Sequence, residues 1–327
     1  MKKRISCLAF AATLLLCVLS LAPKTAVADS GTDLLQLLPD GTAVAVVDVQ
    51  RFLASSVWAE LSAQEKTRHA IESLESDLAD LGMTMSDIRS VAASFGGSLK
   101  SATVAVGGNF DQTALINRIR ADVKVKLTTE TYKGYEINTV QPADPSSKRT
   151  PTSFVFFDAG TAVVGSKAAT QAAIETKLGG RSIAQNQQLN DALNQNPVAA
   201  IRFAMALTPE MSAKLQSTEL PLPDFSSIKL IWAAVDVTSN VDLVATLRND
   251  SAEHAKAVAE RLNGLVSMFR GFIGSTTDPK MSGVSDALKS VTIVDSDVDV
   301  KITGSVSVDL LKTILGAGTA TVPMKKL

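Results

Sequence analysis

Short apolar stretches that alternate with turn residues and then run into a helical pattern recur along the chain, and that recurrence predicts its architecture. Residues 43–49 read as a strand, followed at helical spacing by Phe52, Leu53, Val57, Trp58 and Leu61. A longer helix carries Ile71, Leu74, Leu78 and Leu81 as a narrow apolar stripe that Gly82 closes. Residues 91–95 and 103–106 form the next strand pair around Gly96-Gly97. The run Gly107-Gly108-Asn109-Phe110-Asp111 then leads into a helix, with Asp111 as its cap and Leu115, Ile116 and Ile119 facing inward.

The same arrangement returns three times. Residues 154–157 and 161–164 flank the turn Asp158-Ala159-Gly160, and Gly165-Ser166 opens an alanine-rich helix that Gly179-Gly180 ends. Residues 230–237 and 241–247 flank Thr238-Ser239-Asn240. Asp250 or Ser251 then caps a helix bearing Val258, Leu262, Leu265 and Phe269. Residues 291–294 and 298–302 precede a helix bearing Leu310, Leu311, Ile314 and Leu315. Four ββα units predict an α+β fold: antiparallel sheets with helices packed mainly on one face, because each alternating strand has an apolar side that must be covered. Ser86-Asp87 with Ser90-Val91 echoes Ser285-Asp286 with Ser290-Val291, a short internal repeat.

Stretches 142–152, 216–227 and 271–285 are rich in Pro, Ser, Thr and Gly and read as loops. The second divides the chain most naturally, into 29–218 and 219–327, unless the two form one continuous domain.

The first 28 residues change the picture of where the protein works. Lys2, Lys3 and Arg4 precede an apolar run, and Ala26-Val27-Ala28 supplies a small-residue cleavage site, so 1–28 reads as a cleavable secretory signal. The expected location is extracytoplasmic, in the periplasm or secreted. Pro23 and Lys24 end the run before it reaches the length of a membrane anchor, and no later apolar run is long enough to cross. Cys7 and Cys17 are the chain's two cysteines and neither sits in a lipoprotein context; cleavage would leave a cysteine-free chain with no disulfide or thiolate chemistry. Four of the 32 basic residues and none of the 33 acids lie in the signal, so the remainder has 28 bases against 33 acids, net −5. That balance argues against nucleic acid as a partner.

Candidate chemistry is sparse. His69 and His254 are the two imidazoles, each among charged neighbours in a helix and without a zinc-binding spacing. Gly165-Ser166-Lys167-Ala168 stands at a strand-to-helix corner but lacks the spacing of a G-x-S-x-G nucleophile elbow, so Ser166 reads first as a helix cap. Residues 107–111 lack a phosphate-loop pattern, and Asp111 would repel an anion. Asp295, Asp297 and Asp299 alternate at a spacing that could gather oxygen ligands for calcium, but Val300 and Val306 stand where an EF-hand needs glycine and glutamate. Trp58 and Trp232 sit in apolar patterns and read as core. No catalytic, cofactor-binding or metal site is assigned.

Leu38-Pro39-Asp40-Gly41-Thr42, Gly108-Asn109-Phe110-Asp111, Tyr132-Lys133-Gly134-Tyr135 and the run from Asp158 to Gly165 give the chain a resemblance to a loosely defined group of uncharacterised secreted bacterial proteins. The resemblance implies the compartment and the architecture and carries no activity. Three functions stay open: a non-enzymatic protein that binds an unknown protein partner or takes part in envelope assembly, for example by strand addition at a sheet edge; a hydrolase using Ser166, Lys167 or the acids near Asp295; and a carrier of a small apolar ligand, which demands an apolar cavity of several hundred cubic ångströms.

Overall fold

Among the described residues twelve strands pair antiparallel throughout to build one sheet, in the order β11-β12-β10-β9-β8-β1-β2-β3-β7-β6-β5-β4. The structure, a computed structural model, describes residues 31–96, 102–147, 149–216, 225–274 and 279–311. Residues 1–28, read in the sequence as a secretory signal, with both cysteines, and Gly97, Ile314 and Leu315 lie outside the described residues. The strands are β1 (Ala43–Asp48), β2 (Ile88–Phe95), β3 (Ala102–Gly108), β4 (Val125–Tyr132), β5 (Tyr135–Pro142), β6 (Thr152–Asp158), β7 (Thr161–Gly165), β8 (Ile201–Ala206), β9 (Ile228–Asp236), β10 (Asn240–Asn249), β11 (Thr292–Ser296) and β12 (Asp299–Ser307). The helices are α1 (Val49–Leu53), α2 (Ser56–Ala63), α3 (Glu65–Asp80), α4 (Gln112–Ala121), α5 (Lys167–Lys177), α6 (Gln187–Leu193), α7 (Pro209–Gln216), α8 (Ala252–Gly274) and α9 (Pro279–Ser290).

The α+β class and the antiparallel pairing expected from the hairpin pattern are found. Three of the four hairpins run into their helices as expected (β2-β3 to α4, β6-β7 to α5, β9-β10 to α8), while the helix after β12 lies largely outside the described residues. Register carries the two faces across the sheet. Val46, Ala92, Ala105, Val163 and Val155 lie in one row, covered by the 3-10 helix Asp33–Leu37 and by α5 and α6. Val47, Val91, Ala93 and Val104 face the opposite way, into a core built with α1, α2 and α3. On that same side Leu247 and Val300 pack beneath Ala255, Val258 and Ala259 of α8. More helices therefore lie on this second face than on the first.

Several boundaries differ from the sequence reading. Val49 begins α1 because Asp48 accepts the Arg51 amide and caps it, and Ser55 starts α2 by accepting the Trp58 amide. The stretch 271–285 is not a continuous loop: α8 runs to Gly274 and α9 starts at Pro279, where the missing proline amide costs nothing. Phe269, on the expected apolar stripe of α8, is 51% exposed. The hairpin β4-β5, the strand β8 and the helix α6 were not expected. Strands β8 and β9, on either side of residue 218, are neighbours in the sheet.

One regularity emerges from the strand order. Strands β1, β2, β3, β6 and β7 lie in the order first-second-third-fifth-fourth, and β8, β9, β10, β11 and β12 repeat it, the two halves meeting where β1 pairs antiparallel with β8. The β4-β5 hairpin extends the first half beyond β6. The echo between residues 86–91 and 285–291 is out of phase with this repeat, since it matches the second strand of one half with the fourth of the other.

Candidate functional site

The second half of the sheet is closed by a helix that packs down on it; the equivalent place in the first half is hollow. There α4 follows β3 as α8 follows β10, but α4 has 10 residues against 23, and none of its residues is buried. Leu115 and Ile119 do point inward, yet they face a cavity of about 580 Å³ instead of meeting the sheet. That volume lies within the range of small-molecule sites.

The floor consists of Val106 on β3, Ala162 and Val164 on β7, Thr152, Phe154 and Phe156 on β6 and Val140 on β5. The walls come from Leu78, Leu81, Met83 and Ile88 on one side and Val125 on the other, with α4 as the roof. Phe156 meets Phe154 edge-on at 5.6 Å and Phe110 at 6.1 Å between ring centroids, a packing that fixes the three rings. At the rim stand Asp80, Arg118, Asp122 and Lys124, all exposed, with two charges of each sign.

Local chemistry explains how this frame is held open. Helix α3 ends in a Schellman motif: the Gly82 amide donates to Ala79 O and the Met83 amide to Leu78 O, both at 2.9 Å, with Gly82 at φ +76°. This turn aims Met83 into the cavity. Arg118 of α4 lies against Gly82 and donates from Nη1 to Ala79 O at 3.4 Å, tying the roof to the end of α3. At the other corner Gly108 passes so close to Asp87 O that a Cβ there would stand 2.4 Å from it. The Phe110 amide donates to Ala159 O, and Asp111 Oδ1 accepts the Ala114 amide to cap α4. Residues 108–111 and 158–160, which the sequence marks as turns and a cap, thus meet in space and seat Phe110 in the wall.

Other residues singled out by sequence lie elsewhere. Ser166 Oγ accepts the Ala169 amide as the α5 cap, while Lys167 Nζ pairs with Glu130 at 2.6 Å, so neighbouring hydroxyl and ammonium serve separate structural partners. Asp299 is held by two bonds of 2.8 Å from Arg248, and Asp297 occupies the β11-β12 turn at φ +53°. Asp299 and Asp297 in turn raise the pKa of Arg248. His69 is exposed beside Glu72 at 3.4 Å; His254 Nδ1 meets Asp250 at 2.6 Å, and that bond, with help from Lys229, holds the Asp250 carboxyl below its ordinary pKa. Trp58 and Trp232 are buried, as their surroundings in the sequence indicate.

A second, shallower hollow of about 440 Å³ lies on the other face, between α6 and β9-β10, lined by Gln187, Gln188, Asp191, Gln195, Leu230, Trp232 and Arg248. The Arg248 guanidinium sits 5.1 Å from the Trp232 ring centroid. The indole face that could stack on a ligand is therefore already taken. The cavity beneath α4 is the better-formed site.

No family model matches the chain, and no curated protein matches it significantly. Among solved structures, crystal form III of TP0453 covers 87% of this chain and 98% of its own at 9% identity, with a TM-score of 0.48. Crystal form I covers 89% and 98% at 11% identity, with a TM-score of 0.47. These values describe a distant likeness of outline, and no activity transfers through it.

Proposed function

We propose that this is a non-enzymatic, extracytoplasmic binding protein whose ligand is a small apolar molecule held between α4 and the sheet. The observation that carries the reading is the cavity itself, lined mostly by aliphatic and aromatic side chains with its charges at the rim, and roofed by a helix with no buried residue. An empty hollow of this size forfeits dispersion contacts along its whole lining. Filling it with an apolar molecule recovers them and removes that molecule from water, at about 0.8 kcal/mol per buried methylene. The export signal supports a location where such molecules must be carried through water. Among the described residues no helix is long and apolar enough to cross a membrane.

The test is fluorescence titration of the delipidated protein with N-phenylnaphthylamine, followed by displacement with a homologous series of apolar chains. Saturable binding is expected, with affinity rising about fourfold per methylene until the cavity is full. Ala162→Phe, which fills the floor, should abolish binding while keeping a cooperative melting transition, and Ile119→Ala should enlarge the space and shift the optimum to longer chains. Absence of saturable binding, or equal binding by wild type and Ala162→Phe, would overturn the proposal.

A further inference from the structure

We infer that the ligand is an elongated apolar chain bearing one uncharged oxygen, and that the Thr152 hydroxyl is the group that receives this oxygen. The inference rests on the reading of the cavity as a ligand site and names the chemistry of what occupies it. Thr152 is 5% exposed and lines the cavity; its Oγ1 is enclosed and has no hydrogen-bond partner among the described residues, so it meets a ligand by rotation about χ1. Buried hydroxyls are nearly always bonded, because leaving one unpaired forfeits its hydration without return.

Ser90 Oγ on β2 is the other buried side-chain oxygen without a partner among the described residues, and it does not line the cavity; close to Thr152 the hydroxyls are bonded. Thr139 Oγ1 bonds Ser153 Oγ across β5-β6 at 2.8 Å, and Thr129 Oγ1 donates to Asn138 Oδ1 at 2.8 Å across β4-β5. Thr152 instead stands opposite Val140, also in the lining, where a valine would have served packing equally well. A threonine hydroxyl both donates and accepts, so an ester carbonyl or an alcohol would satisfy it.

Two features fix the rest of the ligand. The lining reaches across six neighbouring strands, from Ile88 on β2 to Val125 on β4. Five interstrand spacings of 4.8 Å make about 24 Å, a length suited to a chain. The charged groups of the lining are exposed at the rim and balance in sign, so no buried cation stands ready to compensate a carboxylate, and burying one beside a single hydroxyl would be unfavourable.

The experiment compares wild type, Thr152→Val and Thr152→Ser in displacement of N-phenylnaphthylamine by dodecane, dodecanol, methyl laurate and laurate. Thr152→Val is expected to weaken dodecanol and methyl laurate about tenfold, the loss of one hydrogen bond, while leaving dodecane and the fluorescent probe unchanged. Thr152→Ser should retain the oxygen-bearing ligands, and laurate should bind wild type more weakly than its methyl ester. Without ligand, Thr152→Val should melt at a higher temperature than wild type. If the probe binds but Thr152→Val affects all four ligands alike, or laurate binds tighter than its ester, this inference falls while the proposed function stands. If the probe fails to bind wild type at all, the proposed function falls and this inference with it.

Discussion

Arg202 illustrates how a single side chain can be costly to remove without taking part in function. It lies on β8 opposite Val46, 3% exposed, where burial pushes its pKa down while Asp48 pushes it back up. Asp48 in turn caps α1 and stands 3.8 Å from Arg51. Removing Arg202 takes a countercharge from the buried Asp48 carboxylate, and removing Asp48 takes one from the buried guanidinium. Arg202→Met is therefore expected to cost about 3 kcal/mol in urea unfolding. Asp48→Asn should also destabilise, and the double variant should cost less than the sum. Asp77 on α3 offers the opposite case. Burial first, and the neighbouring Asp80 second, raise its pKa above the ordinary carboxylate value of 3.8. A carboxylate with a raised folded-state pKa works against folding wherever it is ionised, and that cost disappears once pH falls below the unfolded value. Asp77→Asn should raise the urea midpoint at neutral pH, with the gain shrinking as pH falls and gone below 3.8; an equal gain at all pH values would show that charge is not the cause.

At the scale of elements, what could be read from the chain depended on whether an apolar pattern had a single structural outcome. The hairpins β2-β3, β6-β7 and β9-β10 were legible because their strands alternate or run apolar into a turn and a cap. The β4-β5 hairpin was not: β4 is largely exposed and polar, so no alternation marks it. Its two-residue turn uses Lys133 at φ +49° and Gly134 at φ +88°, in place of the commoner Asn-Gly. The hairpin is instead secured from outside, by Tyr132 Oη and Lys133 Nζ on Glu175 at 2.7 and 2.9 Å. The cavity was illegible for a different reason. Leu115 and Ile119 give the same stripe whether α4 packs down or stands off, and Thr152 lay at the end of what read as a loop while in fact beginning β6. The junction of α3 with α4 is open to direct test. A side chain at Gly82 would need a left-handed conformation and would collide with Arg118, its Cβ 2.7 Å from Nε. Gly82→Ala should cost about 1–2 kcal/mol in unfolding free energy and, by displacing Arg118, weaken binding of the apolar probe; a stability loss with unchanged binding would mean that this junction does not set the position of α4.

Across the whole molecule the two like-ordered halves supply an internal control. The same strand order carries a helix after its third strand in both, but α8 buries Ala255, Val258 and Ala259 against β10 and β12 whereas α4 buries nothing. Segments with few buried contacts open locally at a free energy far below that of global unfolding. Native-state hydrogen exchange should therefore show the amides of α4 exchanging through local opening, while those around Val258 in α8 exchange only on subglobal or global unfolding. The two helices share the same solvent, sheet and topology, and differ in length and in the contacts they bury. A ligand that binds only the closed form must slow exchange in the segments it holds shut, by an amount that follows its concentration relative to its dissociation constant. At a hundredfold excess over that constant, the added protection of α4 should approach about 2.7 kcal/mol, with little change in α8 until its exchange becomes global. If apolar ligand protects both helices equally from the outset, the halves open as one unit and α4 is no separate lid; if it protects α8 alone, the ligand sits in the second half, and the cavity beneath α4 is a packing defect and not a site.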